Sequence, residues 1–304
     1  MQLRHIVCPF DFSEVSSHAL DQAAVLARRT GARLTVLHVF LSVMPTTGLS
    51  ALDAATSQII EPEDLQELRD RVATACRAAT ESGVALDIVI MGGAPVAVIL
   101  EQASSRNADL IVMGTHGTSG FQHLLLGSVT EKVLRKATCP VLTVPPRAHT
   151  GPVASFGHVL CAVDFSDCSR QAVKAAAAIV EGTPAKVTLL HVMEWPWHEP
   201  PVPGMEGVPP SQVQALLEYR RYLESSAADG LKAMAASSLP GGDVATSVRF
   251  GKSYVELLDA AREGGADLIV LGVRGRSAVD IGFFGSTTNH VVRGAACPVL
   301  TVKS

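Results

Sequence analysis

The chain has 304 residues, 47% hydrophobic and 18% charged, which predicts two domains of about 150 residues, each with its own core. A formal net charge of -4 and an isoelectric point near 6.2 exclude an extended basic stripe, so neither nucleic acid nor an anionic membrane is an expected partner. The opening residues, "MQLRHIVCPFDFSE", lack the apolar core and small-residue cleavage site of a secretory leader. No apolar run approaches a membrane span, so the expected compartment is the cytoplasm.

In chain order, an apolar run at 3–8 is followed by helical spacing over 16–30, with Leu20, Ala23, Ala24 and Ala27 on one face and Gly31 as the stop. A β-branched run at 33–39 precedes a charged amphipathic helix at 61–82. A strand at 84–90, a helix at 95–106, a strand at 109–113, a helix at 128–136 and a strand at 140–144 complete the unit. The same order then recurs, with strands near 158–163, 186–193, 244–250, 267–271 and 298–302. Strands alternating with helices of this length predict two tandem open doubly wound five-stranded parallel sheets, each covered on both faces. The expected domains are 1–147 and 155–304, joined by "PPRAHTGPVASFG".

The repeat is close. "HIVCPFDFS" matches "HVLCAVDFS", and Asp11 and Asp164 stand 153 residues apart, as do His38 and His191. Gly114 and Gly272 stand 158 apart, which places an insertion in the proline-dense stretch 194–210, read as a surface loop. The chain has six cysteines, four of them at matching positions (Cys8 with Cys161, Cys139 with Cys297), and none in C-x-x-C spacing. They read as small buried hydrophobes near strand ends rather than as a redox device.

Ligands of a doubly wound sheet sit at the carboxyl ends of strands where the winding reverses, here the loops after strands one and four. After strand four the halves read Gly114-Thr115-His116-Gly117, nine residues, Gly127-Ser128, and Gly272-Val273-Arg274-Gly275, nine residues, Gly285-Ser286. Glycines let a ligand approach backbone N–H groups, and the Gly-Ser step opens a helix N-terminus, which favours an anion. The competing structural reading is a tight turn at Gly114 and an N-cap at Ser128. After strand one, Asp11 and Asp164 could accept from ribose hydroxyls or an adenine amino group; equally, Asp11, Ser13 or Ser16 could cap the next helix.

These residues carry a resemblance. "HIVCPFDFSEVSSHAL", "LTVLHV", "DLIVMGTHG" with its G-2x-G-9x-G-S spacing, and "CPVLTV" make each half similar to a universal stress protein (UspA-like) domain, along nearly the whole chain. The resemblance implies a Rossmann-like fold of the adenine nucleotide alpha-hydrolase type. It also implies the ATP-binding subclass, with one ATP site per half and Mg left open. Its site residues fall on Pro9, Asp11, Val39, Met113, Gly114, His116, Gly117, Gly127, Ser128, Val129 and Thr130. In the second half they fall on Ala162, Asp164, Val192, Leu271, Gly272, Arg274, Gly275, Gly285, Ser286, Thr287 and Thr288. His116 against Arg274 predicts unequal sites, since arginine brings a permanent donor to phosphate. Pro9 against Ala162 alters the base pocket.

No Walker loop, H-E-x-x-H or G-x-S-x-G elbow is present, and no catalytic or metal-ligating set is assigned. The expected function is nucleotide-dependent stress response, with an adenine nucleotide as ligand, an unidentified protein partner and slow hydrolysis at most. The alternatives are a nucleotide-independent scaffold using Trp195 and Trp197, a slow ATPase or phosphotransfer enzyme, and a flavin-binding relative. The last strands, 139–144 and 297–302, would each lie at a sheet edge. They predict an intrachain pseudo-twofold dimer of the two halves, with a further homodimer left open.

Overall fold

The computed structural model describes residues 2–40, 62–117, 126–146, 156–194, 209–273 and 285–303. The first half runs β1 (His5–Pro9), α1 (Glu14–Thr30), β2 (Arg33–Phe40), α2 (Pro62–Ala75), α3 (Arg77–Glu81), β3 (Leu86–Gly92), α4 (Pro95–Ser105), β4 (Leu110–Gly114), α5 (Ser128–Lys136) and β5 (Val141–Val144). The second runs β6 (His158–Ala162), α6 (Asp167–Val180), β7 (Lys186–Met193), α7 (Pro210–Ser238), β8 (Asp243–Phe250), α8 (Ser253–Gly264), β9 (Leu268–Gly272), α9 (Ser286–Gly294) and β10 (Val299–Val302). The single helix expected over 61–82 is divided at Cys76 into α2 and α3. Helix α1 stops at Gly31, whose φ of 70° is left-handed and lets the Ala32 amide turn back to the Ala27 carbonyl.

Within each half all pairings are parallel, and the first strand lies between the second and the fourth. The chain winds outward from β1 to β3, then returns to the other side of β1 for β4 and β5. That reversal opens the cleft between the carboxyl ends of β1 and β4. The expected two sheets are joined into one ten-stranded sheet, in the order β3-β2-β1-β4-β5-β10-β9-β6-β7-β8. The joint is antiparallel, with Val141 opposite Thr301, Leu142 opposite Leu300 and Thr143 opposite Val299.

The core follows this layout. On one face α1 and α6 cover the sheet with Leu20, Leu26, Ala172 and Ile179, and Leu142 and Leu300 at the joint belong to the same apolar cluster. On the other face Val98, Val133, Leu134, Leu257 and Val291 of α4, α5, α8 and α9 pack over Val141 and Val299. One hydrophobic layer thus crosses from half to half on each side, and the Arg29 guanidinium of α1 donates to the Ile179 carbonyl of α6. Among the described residues no helix is long and apolar enough to cross a membrane.

Leu142 is fully buried at the joint, so Leu142→Ala should cost about 2–5 kcal/mol in urea unfolding. The cost should appear as one cooperative transition for the whole chain. The cysteines are buried or half-buried, and loss of water raises the thiols of Cys8, Cys76, Cys139, Cys161 and Cys297, to about 12 at Cys161 and Cys297 and about 11 at Cys76 and Cys139. Thiolate is the reactive form, so native protein at pH 8 should react with a thiol reagent far more slowly than the same chain in denaturant.

Candidate functional site

The loop after β1 is organised by the start of α1. Ser13 is the N-cap and accepts from the Ser16 amide at 3.1 Å, while Asp11 Oδ1 accepts from the Ser13 amide at 3.1 Å and the Ser13 hydroxyl at 2.6 Å. Of the three capping candidates, Ser13 therefore caps and Asp11 braces the cap. The second half repeats this, with Ser166 capping Ser169 and Asp164 Oδ1 accepting from the Ser166 amide at 3.0 Å.

Two residue pairs hold this turn that sequence reasoning missed. Phe12 and Phe165 sit at φ 64° and 63°, a left-handed conformation costly for a bulky side chain. Each ring packs 4.8 Å from a histidine at the end of the next strand, Phe12 on His38 and Phe165 on His191. His38 Nδ1 lies 2.8 Å from the Phe10 carbonyl, and His191 Nδ1 lies 2.7 Å from the Val163 carbonyl. A carbonyl can only accept, so Nδ1 carries the proton in both rings. The sequence signal was the recurrence of "DFS" and "LHV" in both halves.

The loop after β4 is pinned in the same way twice. The Thr115 amide donates to Val144 at 3.0 Å, the Gly127 amide to the Thr115 carbonyl at 2.8 Å, and the Thr130 hydroxyl to the Gly114 carbonyl at 2.9 Å. The counterparts are Val273 to Val302 at 2.9 Å, Gly285 to Val273 at 3.3 Å and the Thr288 hydroxyl to Gly272 at 3.0 Å. The helix caps are Gly127 and Gly285 rather than Ser128 and Ser286, which are the first helical residues and exposed. Among the described residues those serine hydroxyls make no capping bond, and the first-turn amides of α5 and α9 have no carbonyl within their own helix to bond.

Space at these glycines is tight. A Cβ on Gly127 would lie 3.1 Å from the Thr115 carbonyl oxygen, and one on Gly285 the same distance from that of Val273. A Cβ on Gly117 would lie 2.6 Å from Asp11 Oδ2, which shows how closely the two loops of the first half approach. His116 contacts the Thr115 hydroxyl through Nδ1 at 2.9 Å, and its Nε2 is buried with no hydrogen-bond partner. Met113 and Leu271 are buried on the sheet face under α5 and α9; Val39 and Val192, half-buried on that face, lie beside Met91 and Arg249 of the neighbouring strands. Pro9 and Ala162 close β1 and β6, and Val129 and Thr287 are half-buried in the first turns of α5 and α9. Arg274 and Gly275 lie outside the described residues, as do Trp195 and Trp197. Among the described residues no group of three or more His, Cys, Asp or Glu could hold a metal ion.

Fold and site together define a duplicated, doubly wound α/β protein with a glycine-lined helix entrance at each winding reversal. The model of the universal stress protein family matches residues 2–145 and 155–303, and the chain belongs to that family. A universal stress protein from Methanocaldococcus jannaschii is 36% identical over 143 residues, 46% of this chain and 81% of its own length. Universal stress protein YxiE from Bacillus subtilis is also 36% identical over 143 residues, covering 44% of this chain and 93% of its own. The crystal structure of a universal stress protein from Archaeoglobus fulgidus DSM 4304 matches across the tandem, with a TM-score of 0.68 and 25% identity over 100% of this chain and 99% of that one.

Replacing Thr130 by Val should remove the hydroxyl tie between α5 and the Gly114 carbonyl while keeping the shape. Because this bond is buried, the expected loss is about 1–2 kcal/mol in denaturant unfolding, and Thr288→Val should lose a similar amount.

Proposed function

We propose that each half binds ATP at its winding reversal and that the chain is a cytoplasmic, nucleotide-responsive stress module with slow hydrolysis at most. The observation that carries this reading is the duplicated pinning of Gly127 and Gly285. In both halves a loop held by three hydrogen bonds leaves a helix N-terminus and a serine hydroxyl open beside a carboxylate-bearing turn.

In this reading Ser128, Val129 and Thr130 offer their amides to phosphate oxygens, with the Ser128 hydroxyl as a further donor, and the dipole of α5 favours the negative charge. His116 Nε2 supplies a buried group still able to bond. Asp11, braced through Oδ1, presents its carboxylate to ribose hydroxyls or the adenine amino group. Val39, Met113 and Pro9 give the base apolar contact. The second half acts through Asp164, Val192, Leu271, Gly285, Ser286, Thr287 and Thr288, with Ala162 in place of Pro9. No residue of either loop is assigned as a base toward water, so bound ATP is a signal rather than a consumed substrate. The binding units proposed are 1–147 and 155–304.

Calorimetric titration of stripped protein with ATP should give close to two ATP per chain. Gly127→Val, whose first added carbon already meets the Thr115 carbonyl, should weaken one of the two sites by about tenfold or more, the value of one charge-assisted hydrogen bond. Absence of binding heat in the wild type, with no nucleotide released by heating freshly purified protein, would sink the reading.

A further inference from the structure

The two entrances are repeats, yet the contacts between the halves at the joint are unequal. Lys303, just after β10, reaches across it to the carboxyl end of α5, where Nζ donates to the Arg135 carbonyl at 2.8 Å and the Ala137 carbonyl at 2.6 Å. These are terminal carbonyls with no intrahelical amide to accept from, and a cation there also opposes the negative end of the helix dipole. In the first turn of the same helix, Glu131 pairs with Arg293 of α9 at 3.6 Å. Helix α5 is thus gripped at both ends by cations of the second half.

Among the described residues the reverse grip is missing. The residue that follows β5, at the place of Lys303, is Pro145, which has neither an N–H nor a charge to give α9. The residue of α9 at the place of Glu131 is Asn289, so the symmetry-related crossing would join a neutral amide to Arg135. The Asn289 side-chain oxygen is buried with no hydrogen-bond partner.

We propose that Lys303, assisted by Arg293, is a positioning residue for the ATP site of the first half, which makes that site dependent on the intact tandem. This rests on the nucleotide reading above. The first-turn amides of α5 can hold phosphate only if the helix stays in register with the Gly114 loop. Lys303 fixes the far end of a nine-residue helix whose near end carries those amides. Phosphate at one end and ammonium at the other each stabilise the same dipole.

The test uses the full chain in two backgrounds, Gly285→Val to isolate the first site and Gly127→Val to isolate the second. In the first background Lys303→Met should weaken ATP by about three- to fivefold and Lys303→Arg should restore it, the scale of one cation at a helix terminus. In the second background Lys303→Met should leave ATP affinity unchanged. Amide hydrogen exchange without nucleotide provides an independent readout: Lys303→Met should speed exchange in 131–137 and not in 289–295. Equal weakening of both sites, or unchanged exchange in α5, would overturn the proposal. If the wild-type chain gave no ATP heat, the functional reading would fall and the affinity claim with it. The exchange comparison would still decide whether Lys303 holds the helix.

Discussion

The antiparallel pairing of Val141–Val144 with Val299–Val302 governs this molecule. A four-residue strand at the edge of a parallel sheet exposes a row of unpaired amides and carbonyls, and each half ends on such a strand. Pairing them satisfies both edges at once. Thr143 and Thr301 reinforce the joint with hydroxyl bonds to the Val299 and Val141 carbonyls, at 3.2 and 3.1 Å. The apolar layers above and below then become continuous, because Leu142 and Leu300 face one side and Val141 and Val299 the other. The same pairing brings α5 and α9, which carry the two glycine-lined entrances, within reach of one another.

Much of this was legible because it was written twice. Two copies of one strand and helix order fixed the sheet type, and the edge argument identified which strands would meet. Features that depend on a single backbone angle were less accessible. Ser128 and Gly127 are both acceptable helix caps by residue type, and it is the non-helical backbone of Gly127, close under the Thr115 carbonyl, that places the cap there. Cys76 has no breaker chemistry, so the division of α2 from α3 had no sequence signal. Phe12 was hidden for the opposite reason: a phenylalanine carries no expectation of positive φ, and its ring is held at that angle among Phe10, His38 and Arg71.

The repeat is stricter in hydrogen bonding than in side chains. The chain keeps the Thr130 and Thr288 ties, the Ser13 and Ser166 caps and the histidine braces, while charge at equivalent places has drifted. Met91 beside Val39 has become Arg249 beside Val192, and that arginine pairs with Glu256 and Glu263 on α8. Backbone geometry at the entrances is therefore held in common, and divergence is carried by the groups around them. Fusion of two units in one chain permits this, because a homodimer must change both sites whenever it changes one.

The joint also sets an order of events during synthesis. Strand β5 is complete at Val144, but its partner begins at Val299, and translation proceeds at about 5–20 residues per second. For roughly ten to thirty seconds a folded first half presents an open strand edge at the ribosome. Neighbouring chains on the same message present the same edge, and β5 of one is a template for β10 of another. The chain's own β10 wins by effective concentration, since it arrives tethered to the half that needs it. Crowded polysomes would shift that competition toward exchanged dimers, in which each seam is built from two polypeptides.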